Sequence, residues 1–208
     1  MKKKRIIYHL KPINIPKINY KPILFFVFFL LGLITGVICI KYGVNSLVEL
    51  ASDIFEQSRI EDSEKNTLEF FFSDFLSSVC FLFASFTVGL CAVGIPFLPI
   101  IPFVKGIYLG ALGGYMYTQY QISGVGYCAL IIYPGAALML AALIYGCTES
   151  MFMSLDICSI LLNKPKGPNA NTLKLYCVRY AVLIFVMLLA AIINTVFFKI
   201  FAGHFTFD

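Results

Sequence analysis

The run from Gly94 to Gly114, GIPFLPIIPFVKGIYLGALGG, constrains the fold more than any other stretch of the chain. Its first half sets Pro96, Pro99 and Pro102 among large apolar residues, with no charge before Lys105. Its second half spaces Gly106, Gly110 and Gly114 so that they align on one face of a helix. In water this would be a poor helix joined to an adhesive loop. Between two membrane spans it is coherent. The prolines end one helix and turn the chain at the bilayer surface, and the glycines bring the next helix backbone to backbone against a neighbour.

Composition agrees that lipid is the solvent. The 208 residues are 60% hydrophobic and 13% charged, far from the balance of a soluble domain. In lipid a chain must satisfy its own backbone groups, as helices or as a closed barrel. Apolar runs of about 18 residues or more, without alternation, favour helices. The expectation is an all-α polytopic membrane helix bundle forming a single domain, residues 1–208, with short amphipathic interfacial helices. It has five transmembrane helices: 23–40, 71–93, 105–120, 125–147 and 175–201. An extracytoplasmic amphipathic segment (41–69), a Pro-rich turn (94–104) and a cytoplasmic stretch with linker (148–174) join them, between tails 1–22 and 202–208.

Charge orients the bundle. Residues 1–22 carry Lys2, Lys3, Lys4, Arg5, Lys11, Lys17 and Lys21 and no acid. Five spans place that tail on the same side as Lys105 and the loop lysines Lys164, Lys166 and Lys174. Segment 41–69, where acids outnumber bases, falls on the other side. This is the positive-inside pattern of an N-in, C-out protein, and it reads the net charge of +5 as a topology signal rather than a nucleic-acid face. The first apolar run is long for a cleaved signal and lacks a small-x-small site, so it reads as an uncleaved span. The seven cysteines are scattered without a CxxC pair and read as small buried hydrophobes.

Several residues stand out individually. Ser46 followed by Glu49 is a capping-box signature, and Leu50, Ile54 and Phe55 follow at helical spacing. They form a candidate docking surface for partners on the outer face. Asp74 lies one turn inside the second span, Lys105 at the inner boundary of the third and Arg179 one turn inside the last. All three read as interface charges, with function left open for Asp74 as an intramembrane acid. Pro134–Gly135, near the middle of the fourth span, marks a kink that serves either packing or a hinge.

No catalytic constellation emerges. His9 and His204 lie in opposite tails, Ser123 in ISGVG has neither an elbow nor a base, and no carboxylate pair or HExxH occurs within the spans. The expectation is a protein that is not an enzyme and uses no metal or cofactor. A small-solute or ion transporter or channel subunit, working as a homo-oligomer, is the alternative, although five spans do not divide into two repeats.

The run from Thr87 to Leu155 resembles the stage II sporulation protein M family of endospore-forming bacteria. Gly94-Ile95-Pro96, Phe103-Val104-Lys105-Gly106, Leu109-Gly110, Gln121, Gly126 and Pro134 carry the likeness. Relatives often hold a His-Gly pair and a Glu shortly before that proline, whereas Cys128 to Pro134 here reads CALIIYP. The resemblance implies a multi-pass protein of the bacterial cytoplasmic membrane. It would act as a non-enzymatic scaffold for peptidoglycan-degrading partners, the stage II sporulation proteins D and P, during septal thinning and engulfment of the forespore. Its partners would be membrane lipid and such membrane or extracytoplasmic proteins, not nucleic acid.

Overall fold

The computed structural model describes residues 20–43, 65–161 and 170–201, and these are almost entirely helical. The helices are α1 (Tyr20–Lys41), α2 (Lys65–Gly89), α3 (Ile100–Tyr127), α4 (Tyr133–Leu161) and α5 (Ala170–Phe201), with a π-helical turn, Cys128–Ile132, joining α3 to α4. Four stretches are long and apolar enough to cross a membrane: Tyr20–Lys41, Phe71–Gly89, Ile100–Ile160 and Thr172–Ile200. The third is contiguous where the sequence suggested two spans.

That third stretch is not a straight rod. Its 61 residues would extend about 90 Å, three times the hydrocarbon thickness of a bilayer. Gln121 breaks it, with φ 49° and ψ −126°. A side chain on Gly124 would strike the carbonyl oxygen of Met116, a residue about 12 Å away along an unbroken helix. The chain therefore folds back at Gln121. Beyond the fold Tyr127, Cys128 and Ile131 lie against Met116, and Ala136 lies against Leu109.

Other boundaries differ from the sequence reading. The amphipathic stretch expected after residue 147 continues α4 without interruption to Leu161. The Pro-rich turn is shorter than expected, because α3 starts at Ile100 and takes Pro102 into its first turn. Proline costs little there, since that N–H has no helical partner anyway. Cys128 and Cys147 are buried, but Cys80, Cys91 and Cys177 are exposed, so the reading of buried cysteines holds only in part. Leu50, Ile54 and Phe55 lie outside the described residues.

The five helices alternate in direction. Phe25, Leu98, Ile101, Met153 and Tyr176 share one core cluster, which gathers the start of α1, the α2–α3 turn, the end of α4 and the start of α5 at one end of the bundle, here the near end. Lys21 Nζ lies 3.6 Å from the centre of the Phe152 ring at that end. Met116, Tyr127, Cys128 and Phe198 form a smaller cluster at the opposite, far end.

The glycines decide which helices pair. Gly106 and Gly110 of α3 leave no room for a Cβ, because the carbonyls of Phe29 and Leu33 on α1 occupy the space. Gly32 and Gly36 of α1 are blocked in turn by the carbonyls of Phe103 and Ile107. Gly114 is looser, its would-be Cβ lying 3.3 Å from Val37 Cα. The Gly32-Leu-Ile-Thr-Gly36 motif in α1 is a close-packing signal that the reading of the third span alone passes over.

Candidate functional site

The least lipid-like part of the interior is a polar centre where α2, α3, α4 and α5 meet. Its origin is a defect in α4. Pro134 has no N–H to give the preceding turn, and the π turn that precedes it, closed by the Tyr133 N–H on the Cys128 carbonyl, widens the helix at that point. The next N–H, of Gly135, donates 2.9 Å to Asn194 Oδ1 on α5. A side chain at Gly135 would collide with that same carboxamide. Glycine is required here because Asn194 fills the space.

Asn194 is 2% exposed, and its Nδ2 donates 2.8 Å to Asp74 Oδ2 on α2. The donor on one side and the carboxylate on the other fix the orientation of the amide. One carboxamide thus ties together three helices. One turn along α2, the Ser78 hydroxyl donates 3.0 Å to Met139 Sδ and accepts 3.3 Å from Lys105 Nζ.

Lys105 sits within the bundle, 5% exposed, with its Nζ about 5 Å from the Phe81 and Tyr108 ring centres (5.2 and 5.1 Å). The sequence reading places Lys105 at the inner boundary of its span, and the structure buries its side chain within the bundle. The glycine stripe presses α3 against α1, and this turns the lysine on the opposite side of α3 toward α2. Asp74 is half-buried and bonded to Asn194. Arg179, half-buried at the near end, pairs with Glu149. Among the described residues Asp74 and Lys105 form no direct ion pair.

A second polar cluster lies toward the near end. The Ser85 hydroxyl is 2.9 Å from that of Tyr180. Ser150 Oγ contacts the hydroxyls of Tyr180 and Tyr176 and donates 2.8 Å to the Ser85 carbonyl. Tyr176 and Tyr180 reach the carbonyls of Phe86 and Gly146 at 3.1 and 2.9 Å. Ser154 Oγ donates 2.8 Å to the Cys91 carbonyl.

Sequence reasoning singled out Asp74, Lys105, Pro134 and Gly135 separately, and the structure gathers all four around one centre. It missed Asn194, Ser78 and the hydroxyl cluster. The available signals were a lone asparagine in an apolar helix and pairs at helical spacing, Ser150 with Ser154 and Tyr176 with Tyr180. Pro96 is exposed in the turn, Pro99 precedes α3, and Pro102 is buried in its first turn.

Chemically the centre can hold and position helices, and it can exchange hydrogen-bond partners. It has little space for a ligand. The cavity lined by Ser78, Lys105, Met139 and Met187 measures about 10 Å³, at the lower limit for one water molecule. Among the described residues no buried side-chain N or O atom lacks a partner, and no group of His, Cys, Asp and Glu could hold a metal.

Compared with known proteins, residues 25–198 match the family model described as Stage II sporulation protein M. No curated protein and no solved structure matches the chain.

Proposed function

The chain belongs to the stage II sporulation protein M family, and from that premise we propose that it is a non-catalytic scaffold of the bacterial cytoplasmic membrane. It anchors a peptidoglycan-degrading complex, with the stage II sporulation proteins D and P as partners, during septal thinning and forespore engulfment. The observation that carries this reading is the filled polar centre: among the described residues every buried side-chain N or O atom has a partner, and the cavity at that centre measures about 10 Å³. A protein built this way offers its surface and not a passage.

The fold-back at Gln121 supports five crossings, because the parts of the third stretch before and after it are each long enough to span. The near end, with Lys21, Lys174 and Arg179, then faces the cytoplasm. Segment 45–68 and the C-terminal tail face outward, where Leu50, Ile54 and Phe55 dock partner segments. Affinity capture from sporulating membranes tests the reading: the hydrolases co-purify with the wild-type chain and are lost with Ile54→Glu and Phe55→Glu. Undiminished recovery from the double variant removes the patch from the interface, and absence of hydrolases from the wild-type capture removes the scaffold.

One observation favours the second reading, an ion-moving or solute-moving subunit: Asp74 and Lys105 are ionisable groups within the bundle. Solute or proton flux through the purified protein in vesicles would establish it in place of the scaffold.

A further inference from the structure

Three irregularities follow one another along the third stretch: the break at Gln121, the π turn Cys128–Ile132 and the Pro134–Gly135 step. They delimit residues 122–134, which lead from the far end of the bundle to its polar centre. This segment packs at the far end, where Tyr127, Cys128 and Ile131 meet Met116 of α3 and Phe198 of α5, and its Ile132 also reaches the Phe29, Leu109 and Ala136 cluster. The main cluster, holding Leu82, Leu98, Leu143, Tyr180 and Met187, lies on the other side of the polar centre. A hydrogen bond to a side chain, Gly135 N–H to Asn194, stands where the segment joins the rest of α4.

We propose that residues 122–134 form an arm that moves as a unit about the Pro134–Gly135 joint, and that Asn194 is the latch that holds it in the observed position by bridging Gly135 and Asp74. The inference goes beyond the scaffold reading and does not depend on it.

The geometry gives the latch two settings. In the observed one, Asp74 Oδ2 accepts from Asn194 Nδ2 at 2.8 Å, while Lys105 Nζ donates to Ser78 at 3.3 Å. Ser78 stands one turn along α2 from Asp74, so the ammonium lies near the carboxylate without touching it. If Asn194 lets go, Asp74 has Lys105 as its nearest charged replacement, and Ser78 keeps Met139 as its own partner at 3.0 Å. The exchange leaves no charge isolated, which is the condition for a switch inside a low-dielectric bundle. At the far end Gln121 already holds a positive φ, so motion of the arm passes into a turn that is not helical to begin with. The arm meets Gly113 of α3 through the end of the Tyr133 side chain, not backbone to backbone as α1 and α3 meet. Gly124, its one fully buried glycine, abuts Met116 and Tyr120 within the same hairpin rather than another helix.

Hydrogen exchange by mass spectrometry tests this on the purified, detergent-solubilised chain without partners. Asn194→Ala is expected to raise exchange across 122–138 by about tenfold or more and to leave peptides of α1 unchanged. Equal increases in α1 and α5 would mean general loosening and overturn the arm. An unchanged 122–138 would overturn the latch. Asp74→Asn keeps a polar partner for Asn194 and removes the charge, so it is expected to give a smaller rise confined to the same peptides. It also serves where Asn194→Ala does not accumulate. Paired spin labels at Ile122 and Lys199, in a cysteine-free background, supply the second readout. The wild-type sequence at position 194 is expected to give one distance and Asn194→Ala two. A single distance in both overturns the proposal.

Discussion

The α1–α3 pair and the α2–α4–α5 trio are held together by different physics. In the pair, glycines on both helices bring the backbones into contact, and Gly32, Gly36, Gly106 and Gly110 each face a carbonyl of the other helix. In the trio the helices keep a side chain's distance, and hydroxyls and an asparagine bridge the gap. Lipid rewards apolar contact no more between helices than with its own tails, so association rests on close approach or on interhelical hydrogen bonds. This molecule uses one in each half. The difference teaches what each half tolerates: the pair admits no added atom at Gly32, Gly36, Gly106 or Gly110, whereas the trio can lose an atom and rearrange.

The largest predicted effect follows from the pair. Gly110→Leu would drive a side chain into the Leu33 carbonyl, and neither backbone can yield without separating the helices. Overpacking in a well-packed core typically costs about 1–3 kcal/mol or more. Here the expected outcome is loss of protein from the membrane, checked by immunoblot of the membrane fraction. Normal accumulation with normal activity would show that the glycines do not form an interface and would end the comparison.

Tyr180→Phe addresses the trio. The Tyr180 hydroxyl meets Ser85, Ser150 and the Gly146 carbonyl. Each hydroxyl in the cluster has one hydrogen to give, and more acceptors surround it than it can serve. Ser85 can still donate to Leu82 and Ser150 to the Ser85 carbonyl. The expected loss is therefore about 0.6 kcal/mol, the average from double-mutant cycles on interhelical hydrogen bonds in a membrane protein, read as a small fall in the detergent melting midpoint. A loss as large as that of Gly110→Leu would mean that the hydroxyls are as intolerant as the glycines.

How much of this the sequence disclosed follows the same division. A close-packed glycine face is written locally, as a repeat along one helix, so Gly106, Gly110 and Gly114 could be read from spacing alone, as could the defect at Pro134. Hydrogen-bonded partners are written far apart: Asn194 meets Asp74 across 120 positions and Ser85 meets Tyr180 across 95. Nothing in a local pattern joins them. The burial of Lys105 was illegible for the same reason, since only the packing of α3 on α1 reveals that the lysine is turned toward α2. The sequence reading ends one span at 120 and begins the next at 125, and Gln121 breaks the helix in that gap although no charge or proline marks it.

Gly114→Ala sharpens the comparison within the pair. Its Cβ would meet Val37 Cα at 3.3 Å and Ile40 Cβ at 3.4 Å, where a shift of α1 by a few tenths of an ångström suffices. The expected cost is under about 1 kcal/mol, against complete loss for Gly110→Leu. A ranked series of alanines at Gly106, Gly110 and Gly114, measured by melting midpoint, should place Gly114 last. If all three fall together, contact is uniform along the stripe and the register described above is wrong.

The smallest effect is expected outside both interfaces, at Arg179. Its side chain is 42% exposed and pairs with Glu149, itself 13% exposed. A partly exposed pair contributes about 0–1 kcal/mol because solvent screens it and ordering two long side chains opposes it. Glu149 also interacts with Tyr145, so it is not stranded when the arginine goes. Arg179→Gln should therefore shift the melting midpoint less than Tyr180→Phe does, and 0.5 M salt should reduce even that difference. A larger loss, insensitive to salt, would move Arg179 from the rim into the hydrogen-bonded trio.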